Sequence, residues 1–117
     1  MSHRNWKFRL QDISDAIQKI DRYVEGMRFE EFLKDEKTAD AVIRQLTIIG
    51  EAASHIPEEI SSLAPDIPWR SIRGIRNIVV HEYFGVNMQI LWKTVVKNIP
   101  DLNDKLKKLD TLLDQQA

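Results

Sequence analysis

Cysteine is absent from the chain, which excludes disulfides, thiolate-held zinc and cysteine nucleophiles together. Turn formers are scarce. Four glycines and four prolines among 117 residues are too few for a many-stranded β-sandwich. Long apolar runs are also missing: the longest cover three residues, as in Ile78-Val79-Val80, far below the ~20 needed to cross a bilayer. Neither sign of charge dominates, because 17 basic and 18 acidic residues leave a formal net charge of −1. A surface coated with cations for gripping duplex DNA is therefore not expected. A local cationic cleft remains compatible, since net charge does not say where arginines gather. The start, Met1-Ser2-His3-Arg4-Asn5-Trp6-Lys7, carries no apolar segment, so no secretory leader is expected and the expected location is the cytoplasm.

What remains has the balance of a globular chain, 43% hydrophobic and 30% charged, and its length suits one domain over residues 1–117. Trp6, Leu10, Ile13, Ile17, Ile20 and Val24 recur at steps of four and three, the spacing of one buried stripe on a long helix. Gly26 is its expected stop. Phe29, Phe32 and Leu33 among acids predict a short helix or turn. A second long helix reads from an N-cap at Thr38 through Val42, Ile43, Leu46, Ile49, Ala53 and Ile56, and Pro57 cannot continue it. A short helix opens at Pro57, followed by a loop over 64–68. The next helix reads from Trp69 to about Glu82, with Gly85 just past its end. From Asn87 onward, Leu91, Val95, Ile99, Leu102, Leu106, Leu109 and Leu113 predict a last helical stretch. Pro100 removes one backbone donor there, so a kink or brief break is expected near Asn98. The fold class is all-α: a bundle of about four or five helices with a kinked C-terminal one.

Residues 69–82 carry two faces. Projected at about 100° per residue, Ile72, Ile75, Ile78 and Val79 share one arc. Arg70, Arg73, Asn77 and His81 fall within about 80° of one another on the other, with Arg76 at its edge. No acid lies between Arg70 and His81. Guanidinium groups pair with phosphate oxygens and stay charged at any working pH, while an imidazole can take or give a proton near neutrality. Such a set suffices for attack of an RNA 2′-hydroxyl on its own phosphodiester without a metal ion. Arg76 and His81 lie about 140° apart on an ideal helix, so a two-fold axis beside the helix would complete the site by bringing in a second copy. His3, His55 and His81 show no metal-ligand spacing, and no intrinsic metal or cofactor is expected.

Arg76-Asn77-Ile78-Val79-Val80-His81-Glu82-Tyr83 resembles the RxxxxHxY motif of the HEPN-domain family. With Ile48-Ile49-Gly50-Glu51-Ala52-Ala53, Ile67-Pro68-Trp69-Arg70 and the leucine-rich tail around Pro100, the chain resembles the HepT-like toxins of HepT–MntA toxin–antitoxin systems (type VII) from about Trp6 to Leu113. The resemblance implies a dimeric HEPN bundle and a metal-independent endoribonuclease, with Arg76 and His81 catalytic and Asn77 as a polar contact. It also implies a partner, an MntA-like minimal nucleotidyltransferase, that uses ATP and magnesium to attach AMP to the motif tyrosine, Tyr83 here. The alternative within the family is a non-catalytic partner of such a nucleotidyltransferase. Arg70 and Arg73, from the helix projection, would contact the RNA. Elsewhere the readings are structural: an ion pair for Glu51, close helix packing at Gly50, core or interface positions for Trp69 and Trp92, and a solvated face for Lys105, Lys107 and Lys108.

Overall fold

The computed structural model describes residues 5–81 and 87–116, with the backbone course alone over 76–81. Seven α-helices are described: α1 (Trp6–Val24), α2 (Phe29–Lys34), α3 (Glu36–Ser54), α4 (Glu58–Ser61), α5 (Trp69–His81), α6 (Met88–Lys93) and α7 (Ile99–Gln115), with one π-helical turn (Thr94–Asn98) joining the last two. No strand occurs among the described residues. The all-α class is as expected. α6, the π turn and α7 follow one another without a gap, so four long helical stretches carry two short helices, α2 and α4.

The apolar spacing decides what is buried. On α1, Leu10, Ile13, Ile17 and Ile20 are all buried, together with Ala16 between them. α3 is apolar over a wider arc: Ala39, Val42, Ile43, Leu46, Ile49, Ala52 and Ala53 are all buried. A helix buried over so broad an arc needs neighbours on more than one side. Its main neighbours are α1 and α5. α2 closes one end of the core through Phe32, which is wholly buried; burying such a side chain contributes roughly 1.5–3 kcal/mol. Trp92 of α6 packs on it, ring centroids 5.0 Å apart, and on Phe29 at 6.3 Å. Trp92 thus packs against the core partly buried, and Trp69 is buried within it.

Both ends of α3 differ from the sequence reading, and the first has a local cause. α3 begins at Glu36, and its cap is Asp35 rather than Thr38. The Asp35 carboxylate accepts from the Thr38 backbone N–H at 3.0 Å and from the Thr38 hydroxyl at 2.6 Å. Either residue type can cap a helix; the carboxylate lies three residues earlier and takes the role. At its other end α3 stops at Ser54, two residues before Ile56.

The C-terminal break falls where Pro100 demands it. Proline cannot donate to the carbonyl four residues back and crowds it. The chain responds by widening before the proline, and the Ile99 N–H donates five residues back, to Thr94. One π turn absorbs the strain, which is how single π segments commonly arise inside helices. Beyond it, Leu102, Leu106 and Leu109 are buried. Lys105 pairs with Asp101 at 2.9 Å while Lys107 and Lys108 are exposed, as a solvated face requires. Among the described residues no helix is long and apolar enough to cross a membrane.

The Asp35 cap leads to a pH-dependent expectation. Hydrogen bonds from Thr38 hold the Asp35 carboxyl below its ordinary range. A depressed carboxyl adds stability above its unfolded value and loses it as the pH falls through the folded value. Asp35→Ala should therefore lower the melting temperature at pH 7, and the difference from wild type should close as the pH falls below the ordinary aspartate range. Thermal unfolding followed by circular dichroism from pH 7 to pH 2.5 checks this.

Candidate functional site

The helix that carries the arginine–histidine stripe, α5, is anchored at its start by two side chains of its own. Trp69, its first residue, is buried at 8% exposure. Its indole N–H donates to the carbonyls of Ser61 and Ala64, each at 3.1 Å. One turn later, the half-buried Arg73 extends to the end of α3. Its Nε donates to the Ala53 carbonyl at 3.1 Å and its Nη2 to the Ile56 carbonyl at 3.5 Å. The last carbonyls of a helix lack intrahelical partners and carry the negative end of its dipole, so a guanidinium there serves as donor and as counter-charge. With Trp69 tied to the end of α4 and the loop after it, and Arg73 to the last turn of α3, α5 packs along α3.

This accounts for Arg73 differently from the sequence reading. Its phase on the helix puts it with Arg70, Asn77 and His81, yet its guanidinium points across to α3 rather than out along the polar stripe. Arg70 is exposed, on the first turn of α5, which contains no acid. Arg76, Asn77 and His81 lie on the last turns of α5 as backbone positions, His81 being its final residue. Over five residues a helix advances ~7.5 Å, which with the ~140° of rotation sets position 76 apart from position 81. Tyr83, Glu82 and Gly85 lie outside the described residues.

Two residues near this end of α3 have clear roles. Glu51 meets His55 at 3.1 Å, an ion pair when the imidazole is protonated, in line with the structural reading of Glu51. Gly50 is buried on the packed face of α3. Among the described residues, no group of three or more histidine, aspartate or glutamate side chains could hold a metal ion. A groove of about 550 Å³ opens elsewhere, between α1, α4 and the end of α7, lined by Trp6, Leu10, Ile60, Leu113, Asp110 and Asp114. Burial raises the Asp110 carboxyl above its ordinary value, and the charge of Asp114 adds to that. None of the described side chains of α5 lines this groove.

Comparison with known proteins gives one consistent result. The family model described as "Ribonuclease HepT-like" matches residues 13–109. A protein named "Probable ribonuclease HepT" from Thermococcus cleftensis is 47% identical over 106 residues, covering 91% of this chain and 96% of that protein. A protein named "Putative RNase" from Caldanaerobacter subterraneus subsp. tengcongensis is 39% identical, covering 86% of this chain and 89% of its own length. Another of that name from Methanocaldococcus jannaschii is 38% identical, with 89% and 84% covered. No solved structure matches the chain.

The indole N–H and the ring of Trp69 differ in what their loss should do. The carbonyls of Ser61 and Ala64 also accept from the backbone N–H groups of Ala64 and Ile67, so Trp69→Phe leaves neither unpaired. That change should cost ~1 kcal/mol, the net worth of an ordinary hydrogen bond. Trp69→Ala, which opens a cavity under the helix start, should cost ~3–5 kcal/mol. Urea unfolding of the two variants against wild type measures both.

Proposed function

Because the chain belongs to the HepT-like ribonuclease family, we propose that it is a metal-independent endoribonuclease toxin whose active cleft forms between the motif helices of a homodimer. The observation that carries this reading is the intact set Arg76, His81 and Tyr83 on and just beyond α5, with Arg70 exposed on the same helix. In the reaction, the His81 imidazole takes the proton of an RNA 2′-hydroxyl. The freed oxygen attacks the adjacent phosphorus, the bond to the 5′ oxygen breaks, and the imidazolium returns the proton to that leaving oxygen. Arg76 stabilises the charge that develops on the phosphoryl oxygens. Asn77 and Arg70 hold the backbone of the strand. The products end in a 2′,3′-cyclic phosphate and a 5′-hydroxyl, and DNA, which lacks the nucleophile, is left intact.

The dimer answers a geometric need. About 140° and ~7.5 Å separate positions 76 and 81 on one helix, too far round for one short linkage to meet both from a single copy. A two-fold axis beside α5 supplies the missing group from the second copy.

Control of the toxin falls to a minimal nucleotidyltransferase antitoxin of the MntA type. It binds ATP and magnesium; this chain requires neither. The Tyr83 hydroxyl attacks the α-phosphorus of ATP, pyrophosphate leaves, and AMP remains on the tyrosine. Two residues from His81, that group adds bulk and negative charge at the mouth of the cleft, which repels an RNA backbone. Toxin, antitoxin and RNA meet in the cytoplasm.

Two expectations test this. Purified protein should cleave RNA in EDTA, leaving cyclic-phosphate ends, and His81→Ala or Arg76→Ala should lower the rate at least ~10³-fold, in keeping with loss of an acid–base group or an electrostatic clamp. A metal-requiring activity that survives His81→Ala would defeat the assignment, and a fully inactive wild type would favour the non-catalytic partner. Coexpression with an active nucleotidyltransferase of this type should raise the mass by whole AMP units. Tyr83→Phe should remove the gain; an unchanged wild-type mass would count against modification.

A further inference from the structure

We propose that Arg73 is a positioning residue for the motif helix, not a contact to the RNA, and that it sets the placement of Arg76 and His81 by clamping α5 to the C-terminal end of α3. This rests on the ribonuclease reading above. The guanidinium is half-buried and bonded to the carbonyls of Ala53 and Ile56 at 3.1 and 3.5 Å. Ala53 lies in the last turn of α3 and Ile56 two residues past its end, where the helix leaves carbonyls without intrahelical donors. A cation there also meets the negative end of the α3 dipole. The Ala53 carbonyl also accepts from the Ile56 N–H at 3.2 Å, so the guanidinium adds to a turn already closed, and an RNA phosphate that drew Arg73 away would compete against bonds already made inside the fold.

The location of the clamp gives it its consequence. Arg73 precedes Arg76 by one turn and His81 by just over two. Trp69 holds the very start of α5 through its indole N–H. Beyond Trp69, the packing of α5 on α3 through Ile72 and Ile75 is apolar and non-directional. Arg73 supplies a second point one turn further on, on a different element. Two points on a rigid helix determine where its far end lies, and a misplacement of about 1 Å at catalytic groups can cost ~10²-fold in rate. Lysine at this position keeps the charge but not the fork, because its ammonium is a single point donor.

Arg73→Lys and Arg73→Met separate positioning from RNA binding, with wild type as reference and a defined single-stranded RNA oligonucleotide in EDTA as substrate. Positioning predicts that kcat falls at least ~10-fold in Arg73→Met, with partial recovery in Arg73→Lys and KM close to wild type in both. Equilibrium binding of the same RNA is measured in the His81→Ala background across a salt series. The slope of log K against log salt should be the same with and without Arg73. A lost phosphate contact would instead lower it by about 0.7 and raise KM while kcat holds, which would overturn the proposal. So would an unchanged kcat in a folded Arg73→Met variant.

Amide hydrogen exchange on the full chain supplies a readout that does not depend on activity. Loss of protection over residues 74–81 in Arg73→Lys, with α1 and α7 unchanged, supports the clamp. Unchanged protection over that stretch refutes it. A wild type that fails to cleave RNA sinks the ribonuclease reading alone, since hydrogen exchange still decides the role of Arg73.

Discussion

The bundle depends on the burial of one helix from more than one side. α3 presents an apolar arc so wide that Val42, Ile49 and Ala53 have no exposed surface at all, and only helices packed on it can exclude water from such an arc. α1 and α5 are its main neighbours. Once α5 lies against α3, its outer surface is left for polar residues, and the basic stripe follows from that packing rather than from any separate device.

The same contact decides how charge is used. Arginines on one helix repel each other, and a cationic stripe without local acids is costly unless some of its members find partners elsewhere. Arg73 finds them at the carbonyl end of α3. Arg70 does not depend on the fold in this way and stays exposed. One stripe in sequence is therefore divided in space into a cation spent on the scaffold and one available to an anionic ligand. The outlying groove at α1 and α7 shows the opposite arrangement. Its carboxylates, Asp110 and Asp114, face each other's charge, a poor surface for RNA.

Much of the architecture was legible because periodicity is a local property. The stripe Leu10, Ile13, Ile17, Ile20 is buried in the order its spacing implies. The disturbance near Asn98 followed from the missing donor of Pro100, a property of one residue. Its form, a π turn over Thr94–Asn98, was not legible, because several local responses to a proline have similar energies and packing selects among them. The cap of α3 shows the limit at its smallest scale. Asp35 and Thr38 are both good caps, and a choice between them turns on which side chain reaches which N–H.

Sequence by itself determined the class of the fold, the core-facing residues of its helices and the identity of the groups on α5, since hydrophobic spacing and residue chemistry are written along the chain. Tertiary structure alone decided where Arg73 is directed. The acceptors of Arg73 lie 20 and 17 residues before it, and a helical projection, which knows phase but not neighbours, cannot foresee them. A side chain's bonding partners depend on which elements come to lie beside it, and that is settled only when the helices pack.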